Sequence, residues 1–346
     1  MPPALFSPFN LRGLTLKNRI MMSPMCQYSV DAEDGRPNTW HFVHYVSRAV
    51  GGAGLIMVEM TAVDPDGRIT VNDLGLWEDA QIPAYARLVE AVHAQGARIG
   101  IQIAHAGRKA YSPSLRPVAP SPIAFPAPGY RVPEALSVDA IHRLVEAFAA
   151  AARRAVAAGM DLIELHGAHG YLLHEFLSPL SNRRTDAYGD PTRFPAEVVT
   201  AVKAELPATM PLFMRISAVD YDPGGYGLDG LLERLGPLVA AGVDLFDVSS
   251  GGNGPTGPEA PYPGYQLPYA RAVKHRWHLP VAAVGLLDDP ALAEHVIAAG
   301  DADLVAIGRG FLRDPYWPNT AARALEGGVV QVPHQYHRAF PHAFLH

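Results

Sequence analysis

The segment HGAHGY, residues 166–171, sets two histidines three residues apart and puts a tyrosine two residues after the second. Several chemistries fit that spacing. A metal site would draw on His166, His169 and a third ligand such as His105, although no acidic residue stands at a matching spacing nearby. Two neutral imidazoles could instead donate N–H bonds to one carbonyl or nitro oxygen and draw charge out of a conjugated bond. Tyr171 would then hand a proton to the same substrate. The bland alternative is a strand-end cap followed by a packed loop.

Arg215 lies inside the apolar run FMRIS and, if buried, needs an electron-rich partner. An acid from a neighbouring strand, such as Glu59 or Glu164, would serve, and so would the polar edge of a bound ring. In AIGRGF, Gly308 and Arg309 open toward a helix, which suits a phosphate held by backbone N–H groups beside a guanidinium. AVGLLDDP offers Gly285 at a neighbouring position. With Gln102 and Arg215 inside the mouth, these features fit flavin mononucleotide, whose reduced anion a positive charge would stabilise.

Eight short apolar runs carry these residues: 19–24, 54–59, 98–104, 161–166, 211–217, 245–250, 280–285 and 303–308. Being near-continuous rather than alternating, they read as parallel strands buried on both faces. Amphipathic stretches at 79–95, 137–158, 228–241 and 288–299 read as helices between them. The expected fold is α/β, a closed (β/α)8 TIM barrel, with an N-terminal hairpin plugging one end. Long connections at 105–136 and 167–192 follow strands and therefore fall on the C-terminal face, where barrel enzymes hold their sites. Cys26, Tyr28, Gln102, His105, His166, His169, Tyr171, Arg215, Gly308 and Arg309 all converge on that mouth.

Composition narrows the class. The chain has 346 residues, a net charge of −6 and one cysteine, which excludes an intrachain disulfide and cysteine-rich metal clusters. Scattered basic residues give no footprint for nucleic acid, and no apolar run is long enough to span a bilayer. No secretory leader is evident, so the cytoplasm is the expected compartment.

In order along the chain, SPMCQY (23–28), IQIAHAGRKA (101–110), HGAHGYLLHEFLSPLSNRRTDAYGD (166–190), FMRIS (213–217) and IGRGFLRDPYW (307–317) resemble the motifs of the Old Yellow Enzyme family. Cys26 and the tail QYHRAF (335–340) make the chain similar to that family's thermophilic-like bacterial branch. The resemblance implies an FMN-dependent NADPH dehydrogenase, with NADH as a second reductant, that reduces the activated C=C bonds of enones, enals, maleimides or nitroalkenes. It implies one FMN-binding domain over residues 1–346 and a homodimer or homotetramer in which the tail, 331–346, docks on a neighbouring subunit. It assigns Ser23, Pro24, Met25, Cys26, Met60, Gln102, Arg215, Gly285, Gly308 and Arg309 to the flavin. Met60 stands where the branch usually carries a small residue, which implies a narrower pocket or a tilted ring. Tyr28, His166, His169 and Arg338 would bind substrate, the last from the neighbouring subunit, and Tyr171 would be the proton donor. The competing expectations are a metal-dependent barrel hydrolase using His105, His166 and His169, and a flavin-binding protein without turnover.

Overall fold

Every one of the eight apolar runs forms a parallel strand in the computed structural model, which describes residues 2–328 and 332–339. The strands are β1 (Ile20–Met22), β2 (Leu55–Ala62), β3 (Arg98–Ala104), β4 (Leu162–Gly167), β5 (Leu212–Ser217), β6 (Leu245–Ser249), β7 (Val281–Ala283) and β8 (Leu304–Ile307). Each pairs with the next, and β1 pairs with both β2 and β8, so the sheet closes into a barrel with no free edge. The helices that return the chain are α1 (Thr39–Val50), α2 (Ile82–His93), α3 (Val138–Ala157), α4 (Arg193–Glu205), α5 (Leu228–Ala241), α6 (Leu267–Trp277), α7 (Pro290–Ala298) and α8 (Trp317–Ala324). Their starts are set locally. Asn38 and His41 form a reciprocal capping box on α1, and Asp289 accepts the Leu292 N–H ahead of Pro290 on α7.

Strand alternation divides the apolar residues into two cores. Outward positions such as Ile56, Ile101, Ile163, Met214, Phe246 and Val305 pack under the helices. Inward positions nearest the strand starts, among them Met21, Leu55, Met57, Leu162, Phe213, Leu245 and Leu304, meet Phe9, Leu14 and Leu16 of the N-terminal hairpin. That hairpin, Phe9–Leu11 with Leu14–Leu16, is the expected plug, tied at its tip by the Gly13 N–H to the Thr209 carbonyl.

At the next inward position the character changes to Gln102 on β3, Glu164 on β4, Arg215 on β5 and Asp247 on β6, all buried. Beyond them lies the open end. β1 and β7 are three residues long where six were expected, and the residues that follow them, Ser23 and Val284, line the cavity above. The two long connections do sit on this face, and no helix among the described residues is long and apolar enough to cross a membrane.

Leu16 is fully buried in the plug, so Leu16→Ala should destabilise the fold by about 2–5 kcal/mol. A thermal or urea melt checks this. A loss under about 0.5 kcal/mol would mean that the hairpin is not part of the barrel core.

Candidate active site

The C-terminal mouth of the barrel holds a cavity of about 410 Å3. It brings together Ser23, Pro24, Met25, Cys26, Gln102, His166, His169, Tyr171, Arg215, Gly285, Gly308 and Arg309. Tyr28, Met60 and Arg338 are not in its lining. Tyr28 is about half exposed, adopts φ +52° and faces a shallow neighbouring depression with Tyr111 and Tyr130. Met60 is buried with Ala62, Ala104 and Ala106, packed against Cys26 and Tyr171. Arg338 lies on an exposed helical turn, His334–Ala339; residues 331 and 340–346 of the expected docking tail, 331–346, fall outside the described residues.

On one side of the cavity stands the HGAHGY turn. His166 lies at the end of β4, with its ring 5.3 Å from His169 and 4.8 Å from Tyr171, edge-on to both. The turn is tight: His169 has φ +59° and Gly170 φ +74°, and a Cβ on Gly170 would lie 2.4 Å from the Gly252 carbonyl oxygen. Only glycine fits there. Three partners fix it. The His169 N–H donates to Ser217 Oγ at 3.0 Å, the Gly170 N–H to His174 Nδ1 at 2.9 Å, and Lys109 Nζ donates to the His169 carbonyl at 2.8 Å.

Burial, reinforced by the nearby Arg215, holds both His166 and His169 well below the ordinary imidazole range, so both are neutral at physiological pH. Nδ1 of His166 accepts a long bond, 3.4 Å, from the Ala168 N–H, which puts its proton on Nε2 as a free donor. His169 Nε2 sits 2.7 Å from Ser249 Oγ. Burial also pushes the Tyr171 hydroxyl well above its usual value, so it is a protonated acid. Cys26, partly buried, is raised by desolvation and by Asp73 and Glu59, and remains a thiol.

The floor is polar. Arg215 donates through Nη1 to Ser23 Oγ at 3.1 Å, and its Nε lies 3.3 Å from Asp247 Oδ2. The sequence offered Glu59 or Glu164 as examples of an acidic partner from a neighbouring strand, and neither takes that place. Asp247 is the register neighbour of Arg215 on β6, whereas Glu164 accepts from Gln102 at 2.7 Å and Glu59 is held by the Gln27 N–H and Tyr45.

The far end suits a phosphate. Gly285 has φ +124°, and a Cβ on Gly308 would meet Met25 Sδ at 3.5 Å and Ser23 Cβ at 4.0 Å. The first N–H groups of the helix Arg309–Arg313 have no partner within the helix, and Arg309 stands at its start. A guanidinium and a carboxamide on the floor, with a glycine-lined end beside an arginine, match the ring and phosphate of FMN. The third ligand of the hydrolase reading is not brought in: His105 packs against Gly67 and accepts the Gly107 N–H at 3.0 Å, away from His166 and His169. Residues the sequence did not single out also line the cavity, notably Ser249, Tyr265, Gln266 and Leu287. Of these, Ser249 closes an apolar strand and carried a usable signal.

Residues 4–327 match the model of the NADH:flavin oxidoreductase / NADH oxidase family. An NADPH dehydrogenase of Geobacillus thermodenitrificans is 48% identical over 98% of this chain and 99% of its own length. One of Halalkalibacterium halodurans is 45% identical over 98% of this chain and 100% of its own. Among solved structures, morphinone reductase superposes with a TM-score of 0.79 at 30% identity, covering 100% of this chain and 94% of that one. Motif order, barrel and cavity agree with these matches, and the chain belongs to the NADH:flavin oxidoreductase / NADH oxidase family, in its Old Yellow Enzyme group.

Proposed function

We infer that the cavity binds FMN and that the enzyme uses NAD(P)H to reduce the activated C=C bond of small α,β-unsaturated carbonyl and nitro compounds. What carries this reading is the joining, in one cavity, of a neutral two-histidine and tyrosine group with a floor and end suited to a flavin. Gln102 and Arg215 would hold the polar edge of the ring, and Ser23, Pro24, Met25 and Cys26 its side. Gly285, Gly308 and Arg309 would hold the phosphate. Met60, from behind Cys26, would narrow the space beside the ring. The bound flavin supplies hydride acceptance from the nicotinamide and hydride delivery to the β-carbon of the alkene.

The protein's own groups do the rest. Nε2–H of His166 and the ring of His169 grip the carbonyl or nitro oxygen, so the negative charge that builds there meets donors already in place. Being neutral, both hold that oxygen by hydrogen bonds without themselves giving up a full proton. Tyr171, 4.8 Å from His166 ring to ring, donates its hydroxyl proton to the α-carbon and recovers one from solvent. Tyr28 would bound the outer end of the substrate. Enones, enals, maleimides and nitroalkenes all present the required oxygen conjugated to a carbon–carbon double bond.

Residues 1–346 would work as one FMN-binding unit within a homodimer or homotetramer. The exposure of Arg338, away from the cavity of its own chain, supports its entry into a neighbouring subunit's site.

Four experiments test these assignments. Purified protein should show flavin absorbance bands that bleach anaerobically with NADPH and return on adding 2-cyclohexen-1-one. A colourless protein that takes up no FMN would sink the reading, and one that bleaches but never recolours would be a flavin binder without turnover. His166→Ala should lower kcat about 10²–10³-fold with flavin retained. Tyr171→Phe should slow enone-dependent reoxidation about 10²–10⁴-fold and leave reduction by NADPH near wild type; equal slowing of both would remove Tyr171 as the acid. Arg338→Ala should raise KM for the acceptor or for NADPH, and wild-type kinetics in that variant would end its role in a neighbouring site.

A further inference from the structure

The polar layer sealed beneath the cavity holds two carboxyl groups and one guanidinium. Glu164 and Asp247 are both fully buried, and Arg215 is nearly so. Below them lies the apolar inner core with its hairpin plug, so bulk water reaches neither acid from that side. Of the two acids only Asp247 is paired with the cation among the described residues, its Oδ2 3.3 Å from Arg215 Nε, although burial raises it too and neither of its oxygens has a hydrogen-bond partner there. Glu164 has a single contact, accepting from Gln102 Nε2 at 2.7 Å, and its Oε2 has no hydrogen-bond partner among the described residues.

Two bare carboxylates cannot share one guanidinium in such a place. The second charge would be desolvated, unpaired and repelled by the first. We propose that Asp247 carries the charge that balances Arg215, that Glu164 beside it is kept as a neutral acid, and that this two-acid layer sets the reduction potential of the bound flavin. Both are positioning residues, acting on the cofactor through Arg215. The inference rests on the flavin reading of the cavity.

The charges around Glu164 come from few elements. β5 supplies Arg215 and β6 supplies Asp247, while β3 supplies the uncharged Gln102. On its own strand, His166 stands above it and is neutral. β2 offers Glu59, which is taken up by the Gln27 N–H and Tyr45. The inward residues of β7 and β8, Ala282 and Ala306, are apolar. Desolvation and the repulsion of Asp247 push Glu164 up to about 8, against the pull of Arg215.

The consequences have definite signs. A ring that gains negative charge on reduction is favoured by Arg215 and opposed by Asp247, so removing the Asp247 charge raises the potential. Glu164 is uncharged near neutral pH and contributes nothing there. As pH rises past about 8 it ionises and opposes reduction, and the reduced ring in turn strengthens its hold on the proton. The potential of the wild type therefore falls more steeply with pH in that range.

The test is a potentiometric titration of the FMN-bound wild type, Glu164→Gln and the double variant that adds Asp247→Asn, from about pH 6 to about pH 9. Glu164→Gln keeps the volume and the bond from Gln102. It should match the wild type near neutral pH and lack the steeper fall above about 8. Asp247→Asn also lifts the repulsion that keeps Glu164 neutral, so it is made in the Glu164→Gln background, where it should favour reduced over oxidised flavin at least tenfold more than Glu164→Gln alone, a rise of about 30 mV for a two-electron couple. Should the double variant fail to fold for want of a partner to Arg215, Glu164→Gln decides alone. A raised potential for Glu164→Gln near neutral pH, superimposable wild-type and Glu164→Gln profiles, or a folded double variant with the potential of Glu164→Gln would each overturn the proposal. Wild-type protein that takes up no FMN would instead overturn the flavin reading, and this inference with it.

Discussion

Closure of the barrel governs everything above it. Because β1 pairs on both sides, every strand has one face toward the helices and one toward a sealed interior, and alternation then fixes which residues meet inside. The hairpin and the first inward layer fill the lower interior with apolar side chains. That filling is what permits a charged layer above it. Without the plug, water would enter from below and solvate Glu164 and Asp247 separately, and nothing would confine their interaction to Arg215.

The same dryness shapes the catalytic face. Imidazoles near water would be partly protonated around neutral pH. Here desolvation and the field of Arg215 keep His166 and His169 neutral, which makes them hydrogen-bond donors rather than acids. The hydroxyl of Tyr171, pushed the other way by burial, keeps its proton. One environment thus keeps two neutral imidazoles beside a protonated phenol.

The architecture was legible because strands buried on both faces read as continuous apolar runs, and all eight were visible as such. Their ends were less so: β1 and β7 stop at Met22 and Ala283, and Ser23 and Val284 line the cavity instead. Part of the cavity lining, Cys26, Gln102, His166, Arg215, Gly285 and Gly308 among it, was legible from residues that break or end apolar runs, whereas Ser23, Pro24 and Met25 came only with the family resemblance. What a sequence does not contain is register. Arg215 visibly needed a counter-charge, but that Asp247 stands beside it, and not Glu164, follows from the alignment of β5 with β6. Asp247, an acid inside LFDVSS, was the same kind of signal as Arg215 and passed unused. Met60 shows the other limit. The β2–β3 pairing shifts register between Val58 and Thr61, and such an irregularity re-aims side chains in a way that a period of two does not foresee.

The turn that carries His169 draws its position from more than its own strand. Lys109, following β3, donates to the carbonyls of His169 and of Gly252 beyond β6, tying three strand ends together. Its ammonium is largely desolvated, which lowers it to about 8, and it lies 4.1 Å from the Phe125 ring centre, whose face offsets part of that loss. On the other side, His174 accepts the Gly170 N–H and meets Tyr226 and Asp220 through its second nitrogen, so that ring is committed on both edges. The backbone N–H groups of His169 and Gly170 are therefore already taken. What the turn offers the cavity is therefore its side chains, those of residues 166 and 169 among them.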